Sequence, residues 1–144
     1  MAAVQALRVL HGFEDGMAAA QRLFEGASTV VSLTAPQALE EFAPHFLDAL
    51  RAKSAAGGKI RFLALGPVGR ELVEELQGAG AEVRVLDERR EIGFLASESQ
   101  VLLYPADQQP GGMIKEMSIL LDDLLAVTVL RLAFERSWEA ARPA

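Results

Sequence analysis

The 144-residue sequence contains no cysteine. That excludes a disulfide framework, a thiolate metal site and a cysteine nucleophile, and it fits a reducing compartment, so a cytoplasmic location is expected. Histidine is scarce too. His11 and His45 are the only two, they stand in different predicted elements, and no His/Asp/Glu cluster stands at metal-ligand spacing such as H-x-x-x-H. Both therefore read as strand-end or helix-surface residues, and no metal or other cofactor is expected. Positive charge is in deficit, with 14 Lys and Arg against 20 Asp and Glu and a net charge of −6. The short basic pair Arg89-Arg90 is flanked by Glu88 and Glu91, which leaves no clustered basic face for a phosphate backbone. DNA contact is expected only through a separate domain or partner. Long apolar runs are also missing, and the N-terminus lacks the basic start and apolar stretch of a secretory signal, so no membrane association is expected.

What the chain does have is core-forming material. Half of it, 51%, is hydrophobic, and its length suits one domain spanning residues 1–144. Residues 6–11 read as a short strand ending at Gly12, followed by a helix from about Glu14 that Gly26 closes. Thr29–Thr34 is β-branched and uncharged, as a central strand covered on both faces is. From Gln37 to about Ala55 the apolar residues recur at helical spacing, and Pro44 predicts a break near Ala43. Lys59–Leu65 is the next strand, Val68–Gln77 the next helix and Glu82–Leu86 a strand with one wet face. This alternation predicts parallel pairing with right-handed crossovers. The fold class expected is α/β: a single mixed, mostly parallel sheet with flanking helices. Ile92–Ala96 and Gln100–Tyr104, joined by Ser97-Glu98-Ser99, predict an antiparallel hairpin. Residues 107–112 read as a loop, and the apolar pattern from Met113 to about Ala141 predicts one long C-terminal helix, so apolar in its middle that it needs cover on several sides.

The search for chemistry finds little that assembles. Ser32 and Thr34 end a central strand, where ligands of open α/β sheets gather, yet no nucleophile elbow or histidine partner accompanies them. Gly66-Pro-Val-Gly69 lies between a strand and a helix. It reads first as a plain turn and second as a cradle for an anion, lacking both the third glycine of a dinucleotide fingerprint and the lysine of a phosphate loop. Asp87-Glu-Arg-Arg-Glu91 is a solvated loop or, because it leaves a strand end, one wall of a site. If a pocket exists, Ser32, Thr34, Gly66, Asp87 and Glu91 are its expected lining, and that acidic border suits a sugar or polyol or a cationic metabolite. Asp122-Asp123 is expected on a solvent-facing side of the last helix, and Phe134 with Trp138, four residues apart, in a core or an interface.

The order of elements and several phrases together resemble the C-terminal effector domain of the TrmB family of transcription regulators, a fold like half of a phospholipase D. Leu7–Gly12 with the helix after it, Ser28–Leu33, Leu39–Gly58 leading into Ile60–Leu65, Gly80-Ala-Glu-Val-Arg84, and Ala133-Phe134-Glu135 with Trp138 and Ala140–Pro143 carry the likeness. An active phospholipase D has a His-x-Lys-x4-Asp phrase at the start of the hairpin, and here that register holds Glu91, Gly93 and Glu98. With neither nucleophile nor cation, the chain is expected not to be an enzyme. No winged-helix segment precedes residue 6, so the resemblance implies either a stand-alone sensor or the effector half of a longer regulator. It also implies a homodimer, since that catalysis pairs two half-domains, with the apolar last helix as the expected interface. The functional expectation is a ligand-sensing and dimerisation domain. The alternatives are a metal-assisted phosphodiesterase using Glu91 and Glu98, and a purely structural interaction module.

Overall fold

The computed structural model describes residues 7–106 and 117–144. Eight strands form one sheet in the order β1-β7-β6-β5-β2-β3-β4-β8. They are β1 Leu7–His11, β2 Thr29–Thr34, β3 Lys59–Ala64, β4 Glu82–Val85, β5 Ile92–Ala96, β6 Val101–Pro105, β7 Met117–Leu121 and β8 Arg142–Pro143. The α-helices are α1 Gly12–Gly26, α2 Pro36–Phe42, α3 Leu47–Ala55, α4 Arg70–Gly78 and α5 Leu124–Ala140, with a 3-10 turn at Ala43–Phe46 between α2 and α3. Pro44 lies in that turn, at the break its missing N–H and fixed φ predict.

The expected α/β sheet with flanking helices and a long last helix is present. Its parallel part is smaller than expected: β2 pairs with β3 and β3 with β4 in parallel, and the other five pairings are antiparallel. The first strand does not join β2. It runs at the far edge, antiparallel to β7. Alternation in sequence identifies the β-α-β units but says nothing about a strand that crosses to the opposite edge, which only pairing decides.

The C-terminal stretch is where expectation and structure part. Residues 117–121 are the strand β7, and the helix begins only at Leu124. A five-residue apolar run such as Met-Ser-Ile-Leu-Leu fits strand and helix equally well on its own. Pairing to β1 on one side and β6 on the other settles it, with Ser118 and Leu120 buried on one face and Met117, Ile119 and Leu121 on the other. Asp123 is then the N-cap of α5, its Oδ1 accepting from Leu125 N at 2.8 Å and Ala126 N at 3.2 Å. Both Asp122 and Asp123 are exposed, as expected, at the head of the helix and not along it. The expected loop at 107–112 lies outside the described residues.

Two cores flank the sheet. On one face α1 to α4 pack through Leu23, Phe24, Leu39, Phe46, Leu50 and Leu76 against Val30, Ile60, Phe62, Leu95, Leu102 and Leu120. On the other, α5 lays Val127, Phe134 and Trp138 over Val31, Leu33, Leu63, Phe94, Ala96 and Val101. β2 is covered on both sides, as its uncharged β-branched sequence requires. Among the described residues no helix is long and apolar enough to cross a membrane.

Candidate functional site

Alternation along β2 sends Val31 and Leu33 to the α5 core and Val30, Ser32 and Thr34 to the opposite face. Ser32 and Thr34 are both fully buried. Across the sheet, β5 and β6 bring one more hydroxyl to them. Gly93 of β5 pairs with Tyr104 of β6, and Gly93 lies one step beyond the Leu33↔Phe94 pair that joins β5 to β2. A Cβ built at Gly93 would lie 2.8 Å from a ring carbon of Tyr104 and 3.0 Å from the Leu33 carbonyl oxygen. The ring therefore lies on Gly93. Burial pushes the Tyr104 phenol pKa up, and the neighbouring Thr34 and Ser32 hydroxyls pull the other way without reversing it. Those hydroxyls lie near the phenol, yet neither Ser32 Oγ nor Tyr104 Oη completes a hydrogen bond of good geometry. Thr34 Oγ1 has only a long contact, 3.5 Å, to its neighbour's carbonyl.

The other expected site residues share the edge where β2, β3 and β4 end but keep separate company. Gly66, buried at the end of β3, has φ +142°, a conformation that L side chains rarely adopt, and a Cβ there would press on the Pro36 ring at 3.1 Å. It packs β3 against the start of α2. Asp87, beyond β4, pairs with Arg142 at 3.0 Å, and Arg90 is held by Glu88 and by Ser137 Oγ at 2.9 Å. Glu91 stands at the head of β5, where its carbonyl accepts from Ala106 N at 2.8 Å, and it borders a cavity of about 230 Å³. So Ser32 and Thr34 come together around Tyr104, whereas Gly66, Asp87 and Glu91 each have their own neighbours.

Glu98 lies at the opposite end of β5 from Glu91. Its carboxylate accepts from Ser28 N at 2.9 Å and, at 3.4 Å, from Thr29 N. Burial alone would raise its pKa. The backbone N–H groups of Glu98 itself, Ser28 and Thr29, with the Ser28 side chain, outweigh that and hold it below the ordinary value. The residue ties the hairpin to the start of β2. Six residues of mostly extended chain lie between Glu91 and Glu98, which sets them on the order of 20 Å apart, too far to share one metal ion. Among the described residues no group of three or more His, Cys, Asp or Glu could hold one.

On the α5 side a second polar assembly was not anticipated. Phe134 and Trp138 stack with ring centroids 5.6 Å apart, Arg61 of β3 lies over both, and Arg84 of β4 lies 4.4 Å from the Trp138 ring. Arg61 also donates to Glu135 through both terminal guanidinium nitrogens, Nη1 and Nη2, and these hydrogen bonds depress the carboxyl's pKa. The signal was in the alternation of Lys59, Arg61 and Leu63, but only the path of α5 reveals what the arginine meets.

A mixed sheet whose central β5 and β6 form a hairpin beside a parallel β2-β3-β4 set, with one long helix alone on the far face, has close counterparts among solved structures. TrmBL2, described as an archaeal chromatin protein with a novel mode of DNA binding, superposes with a TM-score of 0.71 at 16% identity, over 98% of this chain and 55% of that one. Nuc, a phospholipase D family member from Salmonella typhimurium, gives a TM-score of 0.72 at 12% identity, over 96% of this chain and 97% of the other. The chain has the phospholipase D fold. NucT from Helicobacter pylori shares it as well, with a TM-score of 0.69 at 12% identity over 96% and 98% of the two chains. This chain thus spans about half of TrmBL2 and nearly all of the two smaller phospholipase D-fold proteins. No family model matches the sequence, and no curated protein does either.

Proposed function

We propose that this chain is a non-catalytic ligand-sensing and dimerisation module related to TrmB-like transcription regulators, with any DNA contact made by a separate domain or partner. The observation that carries the reading is the Tyr104 ring on Gly93. In the register of the phospholipase D phrase, position 93 would hold the lysine that steadies a phosphate, and here it has neither a side chain nor room for one. Position 91 offers a carboxylate instead of an imidazole, which repels a phosphodiester. The test is hydrolysis of a generic phosphodiester with and without Mg²⁺ or Mn²⁺. No turnover above the buffer rate is expected, and turnover that Glu91→Ala abolishes would overturn the proposal. The separation of Glu91 from Glu98 argues against the metal-assisted alternative.

Dimerisation is supported by apolar surface gathered on one side of the sheet. Leu124, Leu125, Val129 and Leu132 of α5 are 55–74% exposed. Beside the helix, Leu7, Val9, Ile92 and Met117 are exposed on the same side of the strands. An exposed apolar patch of this kind suits a second copy about a two-fold axis. The cysteine-free composition supports a cytoplasmic setting.

A further inference from the structure

Where β2, β3 and β4 begin, they present a polar row to the α5 side. Lys59 and Arg61 alternate along β3 with Ile60 and Phe62 of the four-helix core, Thr29 on β2 precedes the core residue Val30, and Glu82 on β4 precedes Val83. The parallel register sets Thr29 beside Lys59 and Arg61 beside Glu82. All four side chains therefore share the α5 face of the sheet. With Val31 and Trp138 they border a pocket of about 280 Å³ whose wall is more polar than apolar.

The charges around it are unequally committed. Arg61 is the neighbour of Glu82 in the register, yet its two terminal nitrogens donate to Glu135. Among the described residues Glu82 is left with no ion pair or hydrogen bond, and so is Lys59. Both are exposed, hence open to a ligand that enters. Strand spacing puts their Cα atoms roughly 8 Å apart, with two long side chains able to close on a molecule between them. Thr29 Oγ1 accepts from Arg131 Nη2 at 3.2 Å, which leaves the hydroxyl proton free to be donated. Arg131 Nη1 is shielded and has no partner; it touches no ligand, but its charge adds positive potential behind Thr29. The Glu98 carboxylate at the same end of β2 is already engaged by the Ser28 and Thr29 N–H groups. A simple anion would meet Glu82 unfavourably, and a simple cation would meet Lys59. A molecule that carries both charges meets neither penalty. The volume lies just under the roughly 300–1,000 Å³ of drug-sized sites, so the occupant is a small metabolite.

We propose that this pocket binds a small aliphatic α-amino acid, its carboxylate accepting from Lys59 Nζ and Thr29 Oγ1, its ammonium donating to Glu82 and its hydrocarbon against Val31 and Trp138. This rests on the ligand-sensing reading and names the class of ligand. Trp138 is the one tryptophan of the sequence, so its indole N–H gives a single NMR signal at the site. The experiment follows that signal as the full chain is titrated with L-leucine, with 4-methylpentanoate, which lacks the ammonium, and with 3-methylbutylamine, which lacks the carboxylate. Each titration is repeated on Lys59→Met and on Glu82→Gln, both at exposed positions outside the core. Leucine is expected to bind about fivefold more tightly than either analogue, as gain of one partly exposed ion pair allows. Lys59→Met should weaken leucine by about the same factor, and so should Glu82→Gln, which leaves 4-methylpentanoate no weaker. Leucine that leaves the indole signal unmoved, or binds both variants as well as the native chain, overturns the pocket. So does 4-methylpentanoate bound as tightly as leucine, which would mean an anion site, or 3-methylbutylamine bound as tightly, which would mean a cation site. Binding that meets every expectation yet leaves the monomer–dimer balance in sedimentation unmoved keeps the pocket and overturns the sensing role.

Discussion

A single methyl group at position 93 would meet the Tyr104 ring and the Leu33 carbonyl together, and both belong to buried strands with little freedom to retreat. Gly93→Ala should therefore destabilise the chain by about 1–3 kcal/mol, the usual cost of overpacking a tight interior. Urea denaturation measures it, and a loss below about 0.5 kcal/mol would mean that the ring moves freely. Glu98 offers a second residue-level test. Its carboxyl pKa in the folded chain lies below the ordinary 4.5, so the charged form is favoured by folding. This contribution is fully present above pH 4.5 and disappears as the pH falls through the depressed folded value. Glu135, held low first by its hydrogen bonds with Arg61, acts in the same window. Glu98→Gln should cost on the order of 1 kcal/mol at neutral pH, discounted for the exposure of the side chain. It should also flatten the decline of stability as the pH falls below 4.5, which acid titration of the melting temperature reads directly.

Among the elements, α5 owes its starting point to one side chain. Asp123 satisfies two of the backbone N–H groups that a helix leaves open at its head. Asp123→Ala is expected to lower stability by about 1 kcal/mol, measured by thermal melting, with a decrease in helical circular dichroism confined to the first turn. The same residue marks the boundary that the apolar periodicity of 113–141 conceals. Leu120, Leu121, Leu124 and Leu125 continue a helix-like spacing across Asp122-Asp123, and no proline or glycine interrupts them. By contrast α2 and α3 were separable, because Pro44 breaks the backbone pattern itself. Where a boundary rests on backbone chemistry it is legible, and where it rests on which strand stands alongside it is not. Thr29–Thr34 shows the favourable case, since its uncharged β-branched run specifies cover on both faces and it has both.

Taken as a whole, the molecule is asymmetric about its sheet. Four helices cover one face, while α5 alone lies on the other and leaves apolar strand surface beside it. If the proposed dimer forms through this face, Val129→Glu with Leu132→Glu should shift it to monomer in sedimentation velocity at micromolar concentration. The melting temperature measured at low concentration should barely change, because both residues are solvent-facing in one copy. A wild-type monomer at high concentration would remove the dimer from the proposal.

By itself the sequence determined the kinds of elements and much of their order, because proline, glycine and β-branching act on the backbone wherever the chain goes. It also determined which chemistries are missing, since a residue type that is absent cannot be supplied by folding. Of the candidate site, it pointed to the β2 end and to the head of β5 through strand-exit logic, and it missed Tyr104 altogether, which looked like one more apolar strand residue. Tyr104 matters through neighbours 70 or more residues away in the chain, Ser32 and Thr34. Strand order and the ring seated on Gly93 were decided by the tertiary structure alone. They depend on the register of non-local pairs, and one residue of slip in any of them would turn each of these side chains to the opposite face.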